Sequence, residues 1–256
     1  MQQRHRSGPA RVRRLGLSAL WATLVILGGV VVRPALADDA TAVAAQTGQF
    51  RILSQPVQGG VVVGIAPEGT GRLVYEGRTL PVAADGRFVI GLHRDATGEA
   101  VLTAHIADGS RVEHRVAISP RKFNIQRVNG LPPKTVQMPP EMVARREAEV
   151  RQISAARANP SLELHWTQPF IWPASGRISG VYGSQRIRNG VPGSPHYGVD
   201  IANKTGSPVV APAAGVVRLA VTDFTLEGGL VIIDHGFSLF SSMLHLSRVD
   251  VKPGDI

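Results

Sequence analysis

The chain has 256 residues, with 28 Lys and Arg against 19 Asp and Glu, and it contains no cysteine. This length accommodates about two domains of the usual ~100–200 residues. Without cysteine, neither a disulfide framework nor a lipid anchor on a thiol can form, so the fold must be stabilised by its core alone.

The first 37 residues have the order of a secretory signal peptide. Five arginines precede an apolar run at residues 15–32, and the small-residue sequence Ala35-Leu36-Ala37 follows. This order predicts cleavage by signal peptidase and export to the periplasm or cell envelope. The alternative is an uncleaved anchor, because ~18 apolar residues could just span a bilayer. We expect contact with a membrane only through this segment, if it stays uncleaved.

Most of the positive charge also lies in this segment. The formal net charge is +9, and six arginines with no acidic residue stand in residues 1–37, which leaves +3 for the remainder. So small an excess predicts no binding of nucleic acid.

Residues 48–130 predict a β-sandwich-like accessory domain. Short β-rich runs such as Val61–Ile65 and residues 100–106 alternate with turn pairs such as Asp85-Gly86 and Asp108-Gly109. Strands that recur every 8–12 residues between turn signals are typical of a small sandwich.

Residues 131–163 predict a Pro-rich linker followed by a short helix. Good helix formers occupy residues 141–158, with Pro140 before them and Asn159-Pro160 after them. The apolar side chains that share roughly one side are few: Met142, Val143, Val150 and Ile153. Because this stripe is thin, two alternatives remain: the helix packs along a domain, or it projects from the surface.

Residues 164–256 predict a second domain of antiparallel β-structure, rich in glycine. The sequence predicts strands at residues 209–210, 215–221, 229–234 and 241–247. We expect the last two to form an antiparallel pair, because His235-Gly236 turns the chain between them.

His196 and Asp200 are the first candidate metal ligands. They stand four residues apart, and Gly198 and Val199 between them disfavour a helix. In an extended segment, positions i and i+4 point to the same face, so the imidazole and the carboxylate would converge. A catalytic zinc ion uses three such protein ligands and an open position for water. The spacing alone is common, and it accounts for two ligands of the three.

His245 is the other candidate site residue. Leu244 and Leu246 flank it in a predicted strand, so alternation places it on the opposite face. It is then a third ligand or a general acid/base near a metal-activated water, or else a half-exposed histidine on an outer face. The periodicity favours neither alternative.

Several motifs occur in a fixed order between Trp172 and Ile256. They are GRISGVYG (176–183), HYGVDI (196–201), GSPVVAPAAGVV (206–217), IDHG (233–236) and LHLS (244–247). Together they resemble the lysostaphin and LytM type of zinc metallopeptidases, the peptidoglycan DD-metalloendopeptidases. The β-domain before them also resembles the N-terminal half of exported Gram-negative members.

The resemblance implies a site and a fold. It implies Zn²⁺ bound by His196 and Asp200, a catalytic His245, and a non-liganding His235. It also implies a mainly β fold in which residues 164–256 form a partial LytM-type domain, with a duplicated hybrid motif. The family's third ligand lies in a later H-x-H motif, which is absent from this sequence. We therefore expect a domain that is incomplete at its C-terminus and that, as the sequence stands, binds zinc weakly and has little activity.

The implied function is zinc-dependent hydrolysis of the peptide cross-links of peptidoglycan, in cell-wall remodelling. The alternative is a catalytically inactive LytM-type regulator that activates cell-wall amidases, with amidases or division proteins as partners. A third reading is a wall-binding protein whose C-terminal domain is inactive.

Overall fold

Fifteen strands and one α-helix form the part of the chain that the computed structural model describes, residues 48–130 and 140–256. The predicted signal peptide and the linker residues 131–139 lie outside it. In these two ranges no helix has the length and hydropathy needed to cross a membrane. The prediction of a mainly β protein is confirmed.

The elements follow the chain in a simple order. They are β1 (Arg51–Ile52), β2 (Val61–Ile65), β3 (Thr70–Tyr75), β4 (Arg78–Leu80), β5 (Arg87–Gly91), β6 (Glu99–Ile106), β7 (Arg111–Ala117), β8 (Ile125–Val128), helix α1 (Pro140–Ala158), β9 (Arg177–Gly180), β10 (Gln185–Arg188), β11 (Val191–Pro192), β12 (Asp200–Ala202), β13 (Val216–Phe224), β14 (Gly228–Asp234) and β15 (Phe240–Leu246). A single 3₁₀ turn, His165–Thr167, follows the helix.

The N-terminal strands form two sheets that share one core. One sheet has the order β4-β3-β6-β7 and the other β1-β2-β5. Leu73 and Leu102 of the first sheet and Val62 and Phe88 of the second have no exposed surface. Alternate residues of β6 are buried, as the period-2 pattern of a half-buried strand requires. This is the predicted sandwich-like arrangement.

The C-terminal strands β13, β14 and β15 form an antiparallel sheet. Leu230 and Ile232 of β14 pack on one side of the sheet, and Val231 and Ile233 pack in a separate cluster. The predicted pairing of β14 with β15 is confirmed.

The predicted strand at residues 209–210 is wrong. Val209 and Val210 are exposed and lie outside any strand. Pro208 and Pro212 flank them, and proline has no N–H to donate to a β-ladder. Val210 instead donates its N–H to the carbonyl of Pro173 (2.8 Å).

Helix α1 packs on the C-terminal sheet, which decides between the two alternatives. Ile153 and Ala156 contact the cluster on β14, whereas the other three apolar residues of the predicted stripe are exposed. Charged side chains make the remaining attachments. Glu149, 3 % exposed, accepts hydrogen bonds from the backbone N–H (2.9 Å) and the hydroxyl (2.8 Å) of Thr225. Arg146 forms a bidentate ion pair with Glu227 (2.6 and 2.8 Å).

We expect Glu149→Gln to destabilise the protein near neutral pH. Burial alone would raise the pKa of the Glu149 carboxyl, but the donors of Thr225 and of two helix arginines hold that pKa below its ordinary value near 4.5. A depressed carboxyl pKa adds stability above the unfolded-state pKa, and this is lost as the pH falls through the folded-state pKa. The difference in free energy of unfolding between parent and variant should therefore be large at pH 7 and shrink at pH 3.

Urea denaturation at both pH values measures this difference. Glu147→Gln is the matched control, because Glu147 is an exposed glutamate of the same helix, with a long 4.0 Å ion pair. A Glu149→Gln effect no larger than the control effect, or one that is the same at both pH values, would show that this carboxylate does not anchor the helix.

Strand pairing crosses the predicted domain boundaries. Strand β8 pairs in parallel with β10, with Ile125 opposite Gln185. Trp166 and Phe237 pack with Val89 of β5 in one buried cluster. The described residues, 48–130 and 140–256, accordingly fall within one compact unit. The boundaries themselves, at 130/131 and 163/164, stay a prediction.

Candidate metal centre

The structure brings His196 and Asp200 together. Nε2 of His196 lies 3.1 Å from Oδ1 of Asp200. Residues 193–199 do not form a strand, and the chain bends at Gly198 before Asp200 opens β12. A bend at a glycine, rather than the alternation of a strand, therefore makes the two side chains converge.

The ring of His196 is oriented by the loop at residues 181–184. Nδ1 lies 3.3 Å from the carbonyl oxygen of Val181, close enough for an Nδ1–H to donate to it. In that tautomer, Nε2 and Asp200 Oδ1 both present lone pairs across 3.1 Å. A shared proton or metal cation stabilises such a pair, and histidine ligands of metals are typically held in this way through their second nitrogen.

Asp200 depends on a glycine in the neighbouring strand. It lies opposite Gly180 of β9, where a β-bulge shifts the register of the pair. A Cβ atom at position 180 would lie 2.0 Å from Asp200 Oδ2. The second glycine of the GRISG motif therefore makes room for the carboxylate.

The distance between the two candidate ligand atoms is compatible with zinc. Two atoms at ~2.0–2.1 Å from a tetrahedral zinc ion lie about 3.3 Å apart, close to the observed 3.1 Å. Both side chains are accessible, with 36 % of His196 and 57 % of Asp200 exposed, so further ligands and a substrate can approach. Across residues 48–130 and 140–256, no group of three His, Cys, Asp or Glu side chains is arranged to hold a metal.

His245 lies on β15. It does not join His196 and Asp200 in a metal-binding group of the described residues. The register places Gly229 opposite Leu246 and Val231 opposite Met243, so β15 has one extra residue in a bulge. His245 has a left-handed backbone (φ +61°) and donates its N–H to the carbonyl of Glu227 (2.8 Å). The predicted alternation therefore fails here, and the imidazole is exposed.

His235 is a buried structural residue. Its ring nitrogens lie 2.6 Å from the carbonyl oxygen of Ala214 and 2.8 Å from the hydroxyl of Ser241. Burial lowers the pKa of this imidazole and favours its neutral form. The adjacent Asp234 accepts N–H bonds from Ser161 and Gly236, both 2.8 Å.

Comparison with known proteins finds relatives for the segment that holds this pair. Residues 194–256 match the model of peptidase family M23. A lipoprotein NlpD/LppB homolog of Pseudomonas aeruginosa is 36 % identical over 85 residues, which are 33 % of this chain and 26 % of that protein. The peptidoglycan DD-endopeptidase ShyA of Vibrio cholerae is 38 % identical over 61 residues, 24 % of this chain and 14 % of that protein.

A solved structure extends the likeness beyond the matched segment. A crystal structure assigned to peptidase M23 from Pseudomonas aeruginosa superposes with a TM-score of 0.59 and 29 % identity, over 79 % of each chain. The C-terminal region is thus related to peptidase family M23, and the predicted resemblance to lysostaphin and LytM-type metallopeptidases is confirmed. The chain spans about a quarter or less of the length of the two curated relatives named above.

Proposed function

We propose that this protein is a zinc-dependent endopeptidase that hydrolyses peptide cross-links of peptidoglycan in the periplasm, after removal of residues 1–37. The observation that carries the proposal is the pair His196 and Asp200, 3.1 Å apart, inside the segment that matches a peptidase family. The relative ShyA, named as a peptidoglycan DD-endopeptidase, supports this substrate and a location in the cell envelope.

His196 Nε2 and Asp200 Oδ1 would hold the ion. Bound zinc supplies Lewis acidity, which polarises a carbonyl and lowers the pKa of water toward ~7. The carbonyl of Val181 keeps the His196 ring turned toward Asp200, and the negative carboxylate favours a divalent cation over a neutral occupant. The exposure of both side chains leaves access for a polymeric substrate.

His245 is the proposed catalytic residue. Its exposed imidazole can donate a hydrogen bond to the oxygen that gains negative charge as the scissile carbonyl is attacked. Its backbone is fixed by the bond to Glu227, which reduces the entropy lost when the ring is placed at a substrate.

We expect His245→Ala to lower turnover by about 100-fold or more, the usual cost of one oxyanion donor, and to leave the zinc content unchanged. His196→Ala should instead lose both zinc and turnover, and His105→Ala, in β6 of the accessory domain, should lose neither. Muropeptide release and zinc content, measured on the same samples, separate the three variants. Loss of zinc from His245→Ala would make this residue a ligand.

A second candidate function is activation of a cell-wall amidase without catalysis by this chain. The likeness to the NlpD/LppB homolog, which extends over 85 residues, favours it, because some LytM-type proteins act as regulators. A purified amidase would then release more product in the presence of the chain, with or without His196. Stimulation that needs His196 and zinc would argue against the regulator.

A further inference from the structure

Arg94 is a buried arginine that donates two hydrogen bonds to one backbone carbonyl. It lies just after β5, in the accessory domain, and is 5 % exposed. Its Nε and Nη2 donate to the carbonyl oxygen of Gly183 at 2.9 and 2.7 Å. The guanidinium also lies 4.5 Å from the centre of the Phe123 ring. This side chain therefore connects the accessory domain to the loop at residues 181–184.

The buried charge also has side-chain partners, and its Nη2 lies 3.5 Å from Oε1 of Gln185. The carboxylate partner is Asp95 (2.5 Å), whose side chain is 57 % exposed. Desolvation of a cation is costly unless its donors are satisfied, so the two bonds to Gly183 are needed to hold Arg94 in place. Bonds from an ionised donor are about twice as strong as neutral ones, so the carbonyl of Gly183 is held firmly in turn.

The loop that Arg94 holds is the loop that holds His196. Gly183 donates its N–H to the carbonyl of His196 (2.7 Å), and His196 donates its own N–H to the carbonyl of Ser184 (2.8 Å). The ring is oriented by Val181 of the same loop, at 3.3 Å. Backbone and side chain of His196 are thus both attached to residues 181–184.

Gly183 allows this close approach. Its backbone is left-handed (φ +82°), and a Cβ atom there would lie 2.1 Å from the Phe123 ring. Phe123 therefore packs against the glycine and against Arg94 at once, which leaves the loop little freedom to shift.

We propose that Arg94 is a positioning residue of the metal centre: it fixes the Gly183 carbonyl, the loop fixes His196, and the accessory domain is thereby a structural part of the zinc site. This proposal rests on the proposed function in one respect, the assignment of His196 as a zinc ligand. Arg94 itself touches neither the metal nor the substrate.

The test compares Arg94→Met, which keeps an aliphatic stem but no donors, with Arg94→Lys, which keeps the charge but cannot form the forked pair of bonds. Arg87→Met is the matched control, because Arg87 forms an exposed ion pair with Asp85 in the same domain. Two quantities are measured on the full chain, well below its unfolding temperature. They are the hydrogen-exchange rates of the Gly183 and His196 amides without metal, and the zinc affinity in competition with a chromophoric chelator.

We expect Arg94→Met to raise both exchange rates at least tenfold and to weaken zinc binding by about 10- to 100-fold, the range for residues that support a ligand. The exchange rates and zinc affinity of Arg94→Lys should lie between those of Arg94→Met and the parent. Those of Arg87→Met should equal the parental values. Unchanged exchange and affinity in Arg94→Met would overturn the proposal. If Arg94→Met does not fold, Arg94→Lys decides by the same two readouts.

The outcome is separable from that of the proposed function. If no version hydrolyses peptidoglycan but Arg94→Met still exposes the two amides to exchange, the positioning role stands and the proposed reaction fails. If the parent hydrolyses peptidoglycan and Arg94→Met retains parental exchange and affinity, the reaction stands and the positioning role fails.

Discussion

Replacement of Gly180 by alanine is expected to weaken zinc binding by more than the ~10- to 100-fold seen for supporting residues, because it displaces a ligand itself. The new Cβ would lie 2.0 Å from Oδ2 and 2.7 Å from Cγ of Asp200, so the carboxylate must rotate away or β9 and β12 must separate. Alanine suits the backbone at this position, since Gly180 does not have a left-handed φ. We therefore attribute the expected loss of zinc affinity to the steric clash with Asp200 and not to backbone strain.

Competition titration with a chromophoric chelator measures the affinity, and muropeptide release measures the consequence for turnover. Gly91→Ala is the control, since Gly91 ends β5 and a Cβ atom there meets nothing within 4 Å. Parental zinc affinity in Gly180→Ala would show that Asp200 is not a ligand in this geometry.

Trp166→Ala is expected to lower the free energy of unfolding by about 3–5 kcal/mol, the usual cost of truncating a buried aromatic residue. Trp166 is 5 % exposed, and its ring centre lies 5.5 Å from that of Phe237. Its Nε1 has no hydrogen-bond partner among the described residues, so the loss is one of packing. Because Val89 of β5 completes the cluster, the loss should weaken the packing of β5 against residues 166 and 237.

Urea denaturation followed by circular dichroism tests this expectation. Trp172→Ala is the matched control, because Trp172 is 67 % exposed and its truncation should change stability by no more than ~0.5 kcal/mol. Equal changes in the free energy of unfolding for Trp166→Ala and Trp172→Ala would show that packing around Trp166 does not stabilise the protein.

Local pattern predicted strands such as β2, β6 and β14, but it failed at residues 209–210 and did not predict the attachment of the helix. Strand β2 was predicted at its observed bounds, because its run of β-branched residues follows the turn-forming pair Gly59-Gly60. Helix α1 was predicted from its helix formers and prolines. The contacts of this helix were not predicted, because they depend on a hydrogen bond between Glu149 and Thr225, which lies in a hairpin 76 residues further along the chain.

For the candidate site, the residues could be predicted but the backbone geometry could not. His196 and Asp200 were predicted from their spacing and from the family resemblance. Three features of the backbone at the site were not predicted: the bend at Gly198, the bulge at Asp200 and the bulge at His245. Each is a departure from a regular strand that depends on tertiary structure.

Arg94 could not be found in the sequence at all. It belongs to no motif and stands 89 residues from Gly183, the residue that it holds. Only the folded chain shows that a single arginine of the accessory domain reaches the loop beside His196.

Digestion of purified peptidoglycan by the full-length protein, with and without a zinc chelator and followed by mass spectrometry of the released fragments, tests the central claim most directly. The account predicts fragments cut at cross-link peptide bonds, whose release stops with chelator, returns with added zinc and is absent from His196→Ala. Release that persists with chelator or in His196→Ala would contradict it, as would no release under any condition by a chain that stimulates an amidase.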